Sequence, residues 1–417
     1  MHAQPCSIAR RICFNSQQYL SGGKQMKDRG SLDPNAIYKK LLDNMEPIQL
    51  FVSPSQYIQG RGVINLLGEY LSLCVSGFAG VLITPGRNLA LGDVVDRSLK
   101  AAGFIVKKTI FQGESTLGET ERVATSFEGP NPVDVVIGIG GGKCLDTARM
   151  SASRLGVPAV TIPTTASTDA PTAAHSAIYD EKGVFASIEF SATNPLMVLA
   201  DIDVIAAAPT RYIIAGMGDA FSTFYEARCC MENPEARTAR GARPTVAAMA
   251  IARQCRDTLL DYGAAALNEI RKHQIGNSLA RIVEANILLS GLGFESGGLA
   301  AAHGVAQGLT ACDDLHKNCL HGELVAIGTM TQLIMEKRMD EAEQAARFFK
   351  EIGLPLHLAK LGFDPLQRGP ELDNIVQHSL NVFFIRYEPF EITHDSLKAA
   401  ILEADEFGKN VEKNMMR

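Results

Sequence analysis

The sequence lacks the features that mark several classes of protein. No apolar run approaches the roughly 20 residues that a membrane-spanning helix needs. The 9 cysteines include no CxxC pair and follow no regular spacing, which argues against a disulfide framework and favours a reducing compartment. Lys and Arg total 40 against 46 Asp and Glu, and no basic stripe carries interleaved aromatic residues. With a net charge of -6, the chain is not expected to bind nucleic acid.

Residues 1–44 differ in composition from the rest of the chain. No acidic residue occurs between Met1 and Lys27, whereas basic residues, serine and glutamine are frequent there. This composition is typical of a mitochondrial transit peptide, and the alternatives are a disordered tail or a start codon upstream of the true one at Met45. We expect a cytoplasmic protein, with the mitochondrial matrix as the alternative if residues 1–44 are a targeting segment.

The rest of the chain changes texture near residue 206. Before that point, short apolar runs alternate with helical patterns, which predicts a parallel sheet covered by helices on both faces. The predicted strands are residues 80–85, 104–111, 133–140, 158–163 and 196–201. After it, long Ala-rich stretches predict helices only. The sequence therefore predicts an α/β domain over residues 45–205 and an all-helical domain over residues 206–417.

A glycine-rich turn follows the predicted strand at residues 133–140. "VDVVIGIGGGKCLDTARM" predicts a strand, a turn and a helix. It is neither the GxGxxG fingerprint nor a P-loop, because Lys143 stands in place of the last glycine and Cys144 in place of Ser or Thr. Gly140, Gly141 and Gly142 would let the backbone approach a pyrophosphate at the start of the helix. A tight turn without a ligand is the alternative.

The segment "TIPTTASTDAPTAAHSAIYDE" follows the next predicted strand. Its Thr and Ser residues lie at the carboxyl end of a strand, which is where open α/β sheets bind ligands. Their hydroxyl groups can hold ribose, phosphate or a nicotinamide amide, and a solvated loop is the alternative. Asp169 precedes Ala170-Pro171, so it either contacts a ligand or belongs to a turn.

Asp219, His303 and His321 are candidate metal ligands in the predicted helical domain. Asp219 follows Gly-Met-Gly, which predicts that it opens a helix, and an N-cap is the ordinary role of such a residue. His303 and His321 are eighteen residues apart, each beside a glycine. Along one helix they would lie roughly 27 Å apart, so a shared metal requires a turn between them. From the residues alone, two core histidines remain the alternative.

Five motifs, in their order and spacing, resemble the glycerol dehydrogenases of the metal-dependent (iron-containing-type) polyol and alcohol dehydrogenase group. These motifs are "GIGGGKCLDTA", "STDAPTAAHSAIY", "GMGDAFSTFYEAR", "VEANILLSGLGFESGGLAAAH" and "HGELVAIGTMTQL". The resemblance covers nearly all of the chain except the first 44 residues. It implies a dehydroquinate synthase-like fold, in which a parallel-sheet dinucleotide-binding domain precedes a helical metal-binding domain.

The resemblance also implies the reaction and its cofactors. It implies oxidation of a secondary hydroxyl of a polyol, glycerol to dihydroxyacetone, with hydride transfer to NAD. One divalent metal per chain, zinc with iron or manganese as alternatives, would be held by Asp219, His303 and His321, which leave a fourth position open. Asp169 would hold the polyol, and these four are the expected catalytic residues. The resemblance further implies a homo-oligomer, an octamer in relatives, with no nucleic-acid or membrane partner.

The expected cofactor contacts come from two stretches of the sequence. The glycine turn would hold the dinucleotide phosphates, and residues after the next strand would complete the site. The expected cofactor-binding residues are Gly140, Gly141, Gly142, Lys143, Thr164, Ser167 and Tyr179. Glu323, just after His321-Gly322, is a candidate partner for a metal ligand, with an ordinary helix carboxylate as the alternative.

Several positions depart from the family pattern. Thr84-Pro85 stands where many relatives carry an acidic residue for the ribose 2′-hydroxyl, and Arg87 follows. This leaves room for the 2′-phosphate of NADP. Ala306 replaces a histidine that faces the reacting centre in relatives, and residues 173 and 175 replace others that line the nicotinamide pocket.

Three other functions compete with polyol oxidation. One is a related dehydrogenase for a diol, a hydroxyketone or a polyol phosphate. Another is a lyase like dehydroquinate synthase, against which "STDAP" and "FESGGLA" argue. The last is a silent binding protein, against which the intact metal trio argues.

Overall fold

The computed structural model describes residues 48–181, 183 and 185–415. The predictions for residues 1–44 lie outside this range. Within it, no helix is both long and apolar enough to cross a membrane. The cysteines of the described residues are all free, so none of them forms a disulfide there.

A six-stranded parallel sheet forms the first part of the fold, in the order β1-β8-β5-β4-β2-β3. The strands are β1 (Gln56–Gly60), β2 (Phe78–Ile83), β3 (Ile105–Ile110), β4 (Val135–Gly140), β5 (Ala159–Pro163) and β8 (Met197–Asp201). A separate antiparallel hairpin consists of β6 (His175–Tyr179) and β7 (Phe185–Phe190). The five strands predicted from the sequence are all present. Edge strand β1 was missed, because it is only partly buried along its length and lacks an apolar run.

Helices cover both faces of this sheet. They are α1 (Leu67–Ser72), α2 (Pro85–Ala101), α3 (Leu117–Phe127) and α4 (Gly142–Leu155). Alternate residues of each strand point to opposite faces. Ile137 accordingly packs in the cluster that contains Leu71 of α1 and Leu99 of α2. Its neighbour Val136 packs with Val123 of α3 and Ala148 of α4. Burial on both faces explains why β4 reads as a continuous apolar run.

The strand order places a crevice between β2 and β4. From β2 the chain moves outward to β3, and from β4 it moves the other way to β5. Ligands bind outside the carboxyl ends of strands at such a switch point. The residues that follow β2 and β4, Thr84 and Gly141, therefore stand at the expected binding edge.

The described residues after Asp201 form helices and loops and no strand. The long helices in this part are α6 (Thr210–Glu232), α7 (Val246–Arg271), α12 (His321–Met335), α13 (Met339–Ile352), α14 (Gly369–Asn381) and α15 (His394–Met415). The short ones are α5 (Ile202–Ala206), α8 (Asn277–Glu284), α9 (Ser290–Gly297), α10 (Ala301–Leu309) and α11 (Asp313–Asn318). One turn of π-helix over Ala285–Leu289, called the π-turn from here on, joins α8 to α9. The predicted fold class, a parallel-sheet part followed by a helical part, is confirmed.

One local prediction was wrong. Asp219 does not open a helix, because α6 begins at Thr210 and Asp219 lies in its middle. The glycines before it are not a helix start but points of close approach. A Cβ added to Gly216 would lie 1.9 Å from the carbonyl oxygen of Ala166, and one added to Gly218 would lie 2.4 Å from that of Gly322. Asp219 is therefore a fully formed helical residue that faces other elements rather than an N-cap.

Candidate active site

Asp219, His303 and His321 come together in the helical part of the fold. The Nε2 atoms of both histidines lie 3.3 Å from Oδ1 of Asp219. One ligand atom from each residue lies within 4.8 Å of the others. Asp219 is buried, and 47% of the His321 side chain is exposed. The group is thus buried at Asp219 and open to solvent at His321.

Close helix packing brings the two histidines to Asp219. His321 is the first residue of α12, and the next residue, Gly322, crosses α6 at short range. A Cβ on Gly322 would lie 1.7 Å from the carbonyl oxygen of Ala215. Helix α12 also crosses α10, which carries His303, at a second glycine: a Cβ on residue 328 would lie 2.0 Å from the carbonyl oxygen of residue 302. Gly322 and Gly328 therefore let α12 approach α6 and α10 closely.

Glu226 orients His303, a role that was not predicted from the sequence. It lies two turns after Asp219 on α6 and is fully buried. Its Oε2 lies 2.6 Å from Nδ1 of His303, and its Oε1 accepts the backbone N–H groups of Ala300 and His303 at 2.8 and 2.9 Å. A proton on Nδ1 leaves the Nε2 lone pair directed at Asp219. The seven-residue spacing from Asp219, which puts both on one helix face, was the available signal.

Glu323 takes a different role from the one considered for it. Its carboxylate forms an ion pair with Arg211 at 2.6 Å and accepts the backbone N–H of Leu320 at 2.8 Å. It caps the start of α12 and ties that end to α6. Glu323 thus stabilises the start of the helix that begins with His321. Its contacts are those of an ordinary helix carboxylate, which was the alternative to a partner for a metal ligand.

The electrostatics of the trio favour a cation at its centre. Burial opposes ionisation of Asp219, but the imidazoles of His321 and His303 outweigh it and hold the pKa of Asp219 below its usual range. Burial likewise opposes protonation of His303, but Glu226 and Asp219 outweigh it and raise the pKa of His303 well above its ordinary value. The carboxylates therefore stabilise positive charge on the atoms that face one another.

The donor set fits a divalent metal. Oδ1 of Asp219 is buried and has no hydrogen-bond partner among the described residues. This oxygen lies between the two imidazoles and is free to bind a metal ion. One carboxylate and two imidazoles suit zinc, iron or manganese. Residues Asp219, His303 and His321 are the ones that would hold such an ion.

Asp169 lies next to this trio. Its backbone N–H faces Oδ2 of Asp219 at 3.4 Å, and its own Oδ2 accepts the hydroxyl of Ser290 at 2.7 Å. Burial raises the pKa of Asp169 well above its ordinary value, and the charge on Asp219 raises it further. The loop after β5 therefore places the carboxyl group of Asp169 beside the three candidate metal ligands.

The predicted phosphate turn lies at the switch point of the sheet. Gly141 precedes α4, and a Cβ added to Gly141 or Gly142 would meet no atom within 4 Å. The N–H groups of Gly142 and Lys143, the first two residues of α4, have no partner within the helix. Gly140 is tightly packed instead: a Cβ there would lie 2.9 Å from Cγ2 of Thr84. Gly140 also accepts the backbone N–H of Thr164 at 3.0 Å, so the ends of β2, β4 and β5 meet here.

Lys143 and Tyr179 are brought together beside this turn. The Lys143 ammonium lies 4.5 Å from the centre of the Tyr179 ring and 2.6 Å from Oε2 of Glu114. Burial raises the pKa of Tyr179 to about 12, so the phenol stays neutral. The Ser167 hydroxyl lies 3.2 Å from that of Thr165. Five of the seven expected cofactor residues thus lie at the carboxyl ends of β4 and β5, namely Gly140, Gly141, Gly142, Lys143 and Thr164. A sixth, Tyr179, lies against Lys143.

The positions that depart from the family pattern have distinct surroundings. Arg87 lies in the first turn of α2 and is half-buried, and its guanidinium has no ion pair or hydrogen bond among the described residues. His175 packs against the rings of Phe190 and Phe294. Burial, with the charges of nearby arginines, lowers the pKa of His175 to about 3, so this imidazole is neutral at physiological pH.

Known proteins resemble this chain over most of its length. The crystal structure of glycerol dehydrogenase from Schizosaccharomyces pombe superposes with a TM-score of 0.84 at 32% identity, covering 88% of this chain and 93% of that one. Glycerol dehydrogenase of Escherichia coli O6:H1 is 41% identical over 87% of this chain and 98% of its own length. Glycerol dehydrogenase of Thermotoga maritima is 40% identical with the same coverage.

The fold and these likenesses define an oxidoreductase that acts on CH–OH groups. Residues 58–209 match the iron-containing alcohol dehydrogenase family. Since the curated relatives are matched over 98% of their length, the chain belongs to this family. Its members use NAD(H) and a divalent metal, and the resemblance inferred from the five sequence motifs is confirmed.

Proposed function

We propose that this protein oxidises the secondary hydroxyl of a small polyol, glycerol to dihydroxyacetone, with hydride transfer to a nicotinamide dinucleotide. The observation that carries the proposal is the trio of Asp219, His303 and His321 with Asp169 beside it, at the open edge of a dinucleotide-type fold. The glycerol dehydrogenases matched over nearly their whole length support the same substrate.

Each part of the site has a proposed task. Asp219, His303 and His321 hold the divalent metal, and Glu226 keeps the Nε2 atom of His303 directed inward. Asp169 accepts a hydrogen bond from the hydroxyl next to the one that is oxidised, which fixes the polyol in one orientation. When bound, the metal supplies Lewis acidity at the reacting hydroxyl, and the nicotinamide supplies the hydride acceptor.

The dinucleotide contacts follow the sheet edge. The N–H groups at the start of α4, with Gly141 and Gly142 open beside them, bind the phosphates. Gly140 shapes this turn, Lys143 adds a positive charge and Tyr179 an apolar face, and Thr164 and Ser167 contribute polar groups from the neighbouring loop. In this proposal residues 45–205 bind the dinucleotide and residues 206–417 bind the metal.

Two finer points belong to the same proposal. The metal is zinc, because two imidazoles and a carboxylate with one open position form a typical catalytic zinc site. The dinucleotide is NAD, with NADP accepted as well, because no carboxylate stands at Thr84-Pro85 and the Arg87 guanidinium has no partner among the described residues. The resemblance to glycerol dehydrogenases further supports a homo-oligomer, which light scattering after size-exclusion chromatography would measure.

The test is turnover by the purified protein after zinc loading. Glycerol, 1,2-propanediol, glycerol phosphate and a hydroxycarboxylate are each offered with NAD and with NADP, and formation of the reduced nicotinamide is followed by absorbance. The proposal predicts that glycerol or another unphosphorylated diol gives the highest kcat/KM. Turnover of the phosphate or the carboxylate alone would contradict it, as would turnover without net formation of reduced nicotinamide.

A further inference from the structure

Ser290 is a buried hydroxyl whose position is unusual for a helical serine. Serine in a helix commonly donates to its own helix backbone, whereas Ser290 donates to Oδ2 of Asp169 at 2.7 Å. The residue has no exposed surface. Among the described residues no other side chain donates to the Asp169 carboxylate. The orientation of this carboxylate therefore depends on one hydroxyl group.

The turn before Ser290 explains how the hydroxyl reaches Asp169. Residues Ala285–Leu289 form a π-turn, which adds a residue to one helical turn and thereby rotates the helix beyond it. Asn286, inside this turn, donates to the carbonyl oxygens of Ala166 at 2.9 Å and Ile213 at 3.1 Å. These bonds tie the turn to the loop that carries Asp169 and to the start of α6. Ser290 is the first residue after the turn.

Gly291 allows the helix to approach the loop. A Cβ at Gly291 would lie 1.8 Å from Oγ1 of Thr172 and 3.2 Å from the carbonyl oxygen of Asp169. Any larger residue would push α9 away from the loop and break the hydrogen bond of its neighbour. The pair Ser290-Gly291 therefore supplies both the donor and the short distance.

Thr223 fixes the direction of the Ser290 hydroxyl. Its Oγ1 lies 2.9 Å from Oγ of Ser290. A serine hydroxyl has one proton to donate, and Ser290 donates it to Asp169, so Ser290 accepts from Thr223. Thr223 lies one turn after Asp219 on α6, which means that the helix carrying a metal-type ligand also orients the donor to Asp169.

We infer that Ser290 is a positioning residue that sets the preference for substrates with adjacent hydroxyl groups. It anchors Oδ2 of Asp169, and the other carboxylate oxygen, which has no side-chain partner among the described residues, is left to receive the hydroxyl next to the reacting one. The inference rests on the proposed function, in which Asp169 holds the polyol.

The test compares Ser290→Ala with wild type and with Ser379→Ala. Ser379 is equally buried in α14 but donates to its own helix, to the carbonyl oxygen of Ile375, so its variant controls for loss of a buried hydroxyl. Bound metal, the dinucleotide Kd, and kcat and KM for glycerol are measured on each protein. Ser290→Ala is expected to raise the KM for glycerol about tenfold, or about 1.4 kcal/mol, with the other quantities and the control within about twofold of wild type.

The outcomes separate this inference from the proposed function. If wild type oxidises no polyol, the proposed function is wrong. If wild type oxidises a polyol but folded Ser290→Ala has an unchanged KM, only the positioning role is wrong. This holds even if the kcat and the metal content of the variant fall. Should Ser290→Ala not fold, Thr223→Val decides. It keeps the Ser290 hydroxyl but frees its direction, so KM should rise about threefold, and an unchanged KM would overturn the inference.

Discussion

The Nδ1 atom of His303 lies 2.6 Å from Oε2 of Glu226, on the side of the imidazole away from Asp219. The carboxylate thereby fixes both the rotation of the ring and the nitrogen that carries the proton. It also accepts the N–H groups at the start of α10, so His303 and its helix are held by the same group. Metal binding at Nε2 would then require little rearrangement of the protein.

Replacing Gly322 with alanine should separate His321 from Asp219. The added Cβ would lie 1.7 Å from the carbonyl oxygen of Ala215, so α12 must move away from α6. We expect bound metal and turnover to fall at least tenfold, with a smaller loss of thermal stability. Metal analysis and thermal denaturation measure both. Gly369→Ala is the control, because a Cβ there meets no atom within 4 Å. Equal metal content in the two variants would contradict the close-packing argument.

Asp169→Asn should weaken polyol turnover but leave the fold and dinucleotide binding intact. The substitution keeps the shape of the side chain and turns a charge-assisted hydrogen bond to the polyol into a neutral one. We expect kcat/KM for glycerol to fall about tenfold or more, and the dinucleotide Kd to change by less than about twofold. Steady-state kinetics and fluorescence titration provide the measurements. Wild-type kcat/KM on every polyol tested would return Asp169 to a turn role.

Wild type should use NADP measurably alongside NAD, and Arg87→Ala should lower kcat/KM for NADP about tenfold while changing that for NAD little. The guanidinium in the first turn of α2, which has no partner in the described part of the chain, would attract the 2′-phosphate, and no carboxylate repels it at Thr84-Pro85. Arg97→Ala, an exposed arginine further along the same helix, is the control. A wild-type preference for NAD above about a thousandfold, roughly 4 kcal/mol, would show that Arg87 does not reach the 2′ position.

Glu412 should contribute stability that depends on pH. The pKa of Glu412 is lowered from 4.5 to about 2, mainly by a hydrogen bond from the Lys360 ammonium. Burial opposes this shift to a smaller extent, and His357 and Lys350 add to it. A lowered carboxyl pKa contributes stability above the unfolded value of 4.5, which is lost as the pH falls through 2. Glu412→Gln should therefore lower Tm by a few degrees at pH 7, and the difference from wild type should shrink as the pH falls below 4.5.

The control for this titration is Glu403→Gln. Glu403 is an exposed carboxylate on the same helix without an ion pair among the described residues. Its Tm difference from wild type should stay small at every pH between 7 and 3. A Glu412→Gln difference that persists unchanged at pH 3 would mean that the ion pairs with Lys360 and Lys350 do not carry the effect.

The sequence was sufficient for the five other strands of the parallel sheet and for the chemical types at the site, but not for edge strand β1 or for the contacts between helices. A buried strand such as β4 appears in the sequence as a continuous apolar run. Edge strand β1 has no such run, so the sequence does not reveal it. Asp219 was placed at a helix start because glycines usually interrupt helices. Its true position results from the packing of Gly218 against α12, a contact between residues about a hundred positions apart.

The orientation of the site residues was beyond the sequence for the same reason. The role of Glu226 depends on how α6 faces α10, and that of Ser290 depends on a π-turn that no periodic pattern predicts. The motifs around His303 and His321 could indicate two ligands of one metal only through the resemblance to a family. The fold supplies the physical reason, since helix crossings at glycines let both imidazoles reach one carboxylate.

The most direct test of the central claim, a metal-dependent dehydrogenase site built on Asp219, His303 and His321, is the metal content of His321→Ala. His378→Ala, an exposed histidine on α14, is the control. Wild type, variant and control are purified, loaded with zinc, dialysed and analysed for metal per chain, and glycerol turnover is assayed with and without added zinc. The account predicts about one metal ion per chain in wild type and control. In His321→Ala it predicts far less metal and no turnover, with Tm lowered only slightly. About one metal ion per chain in His321→Ala, together with retained turnover, would contradict it.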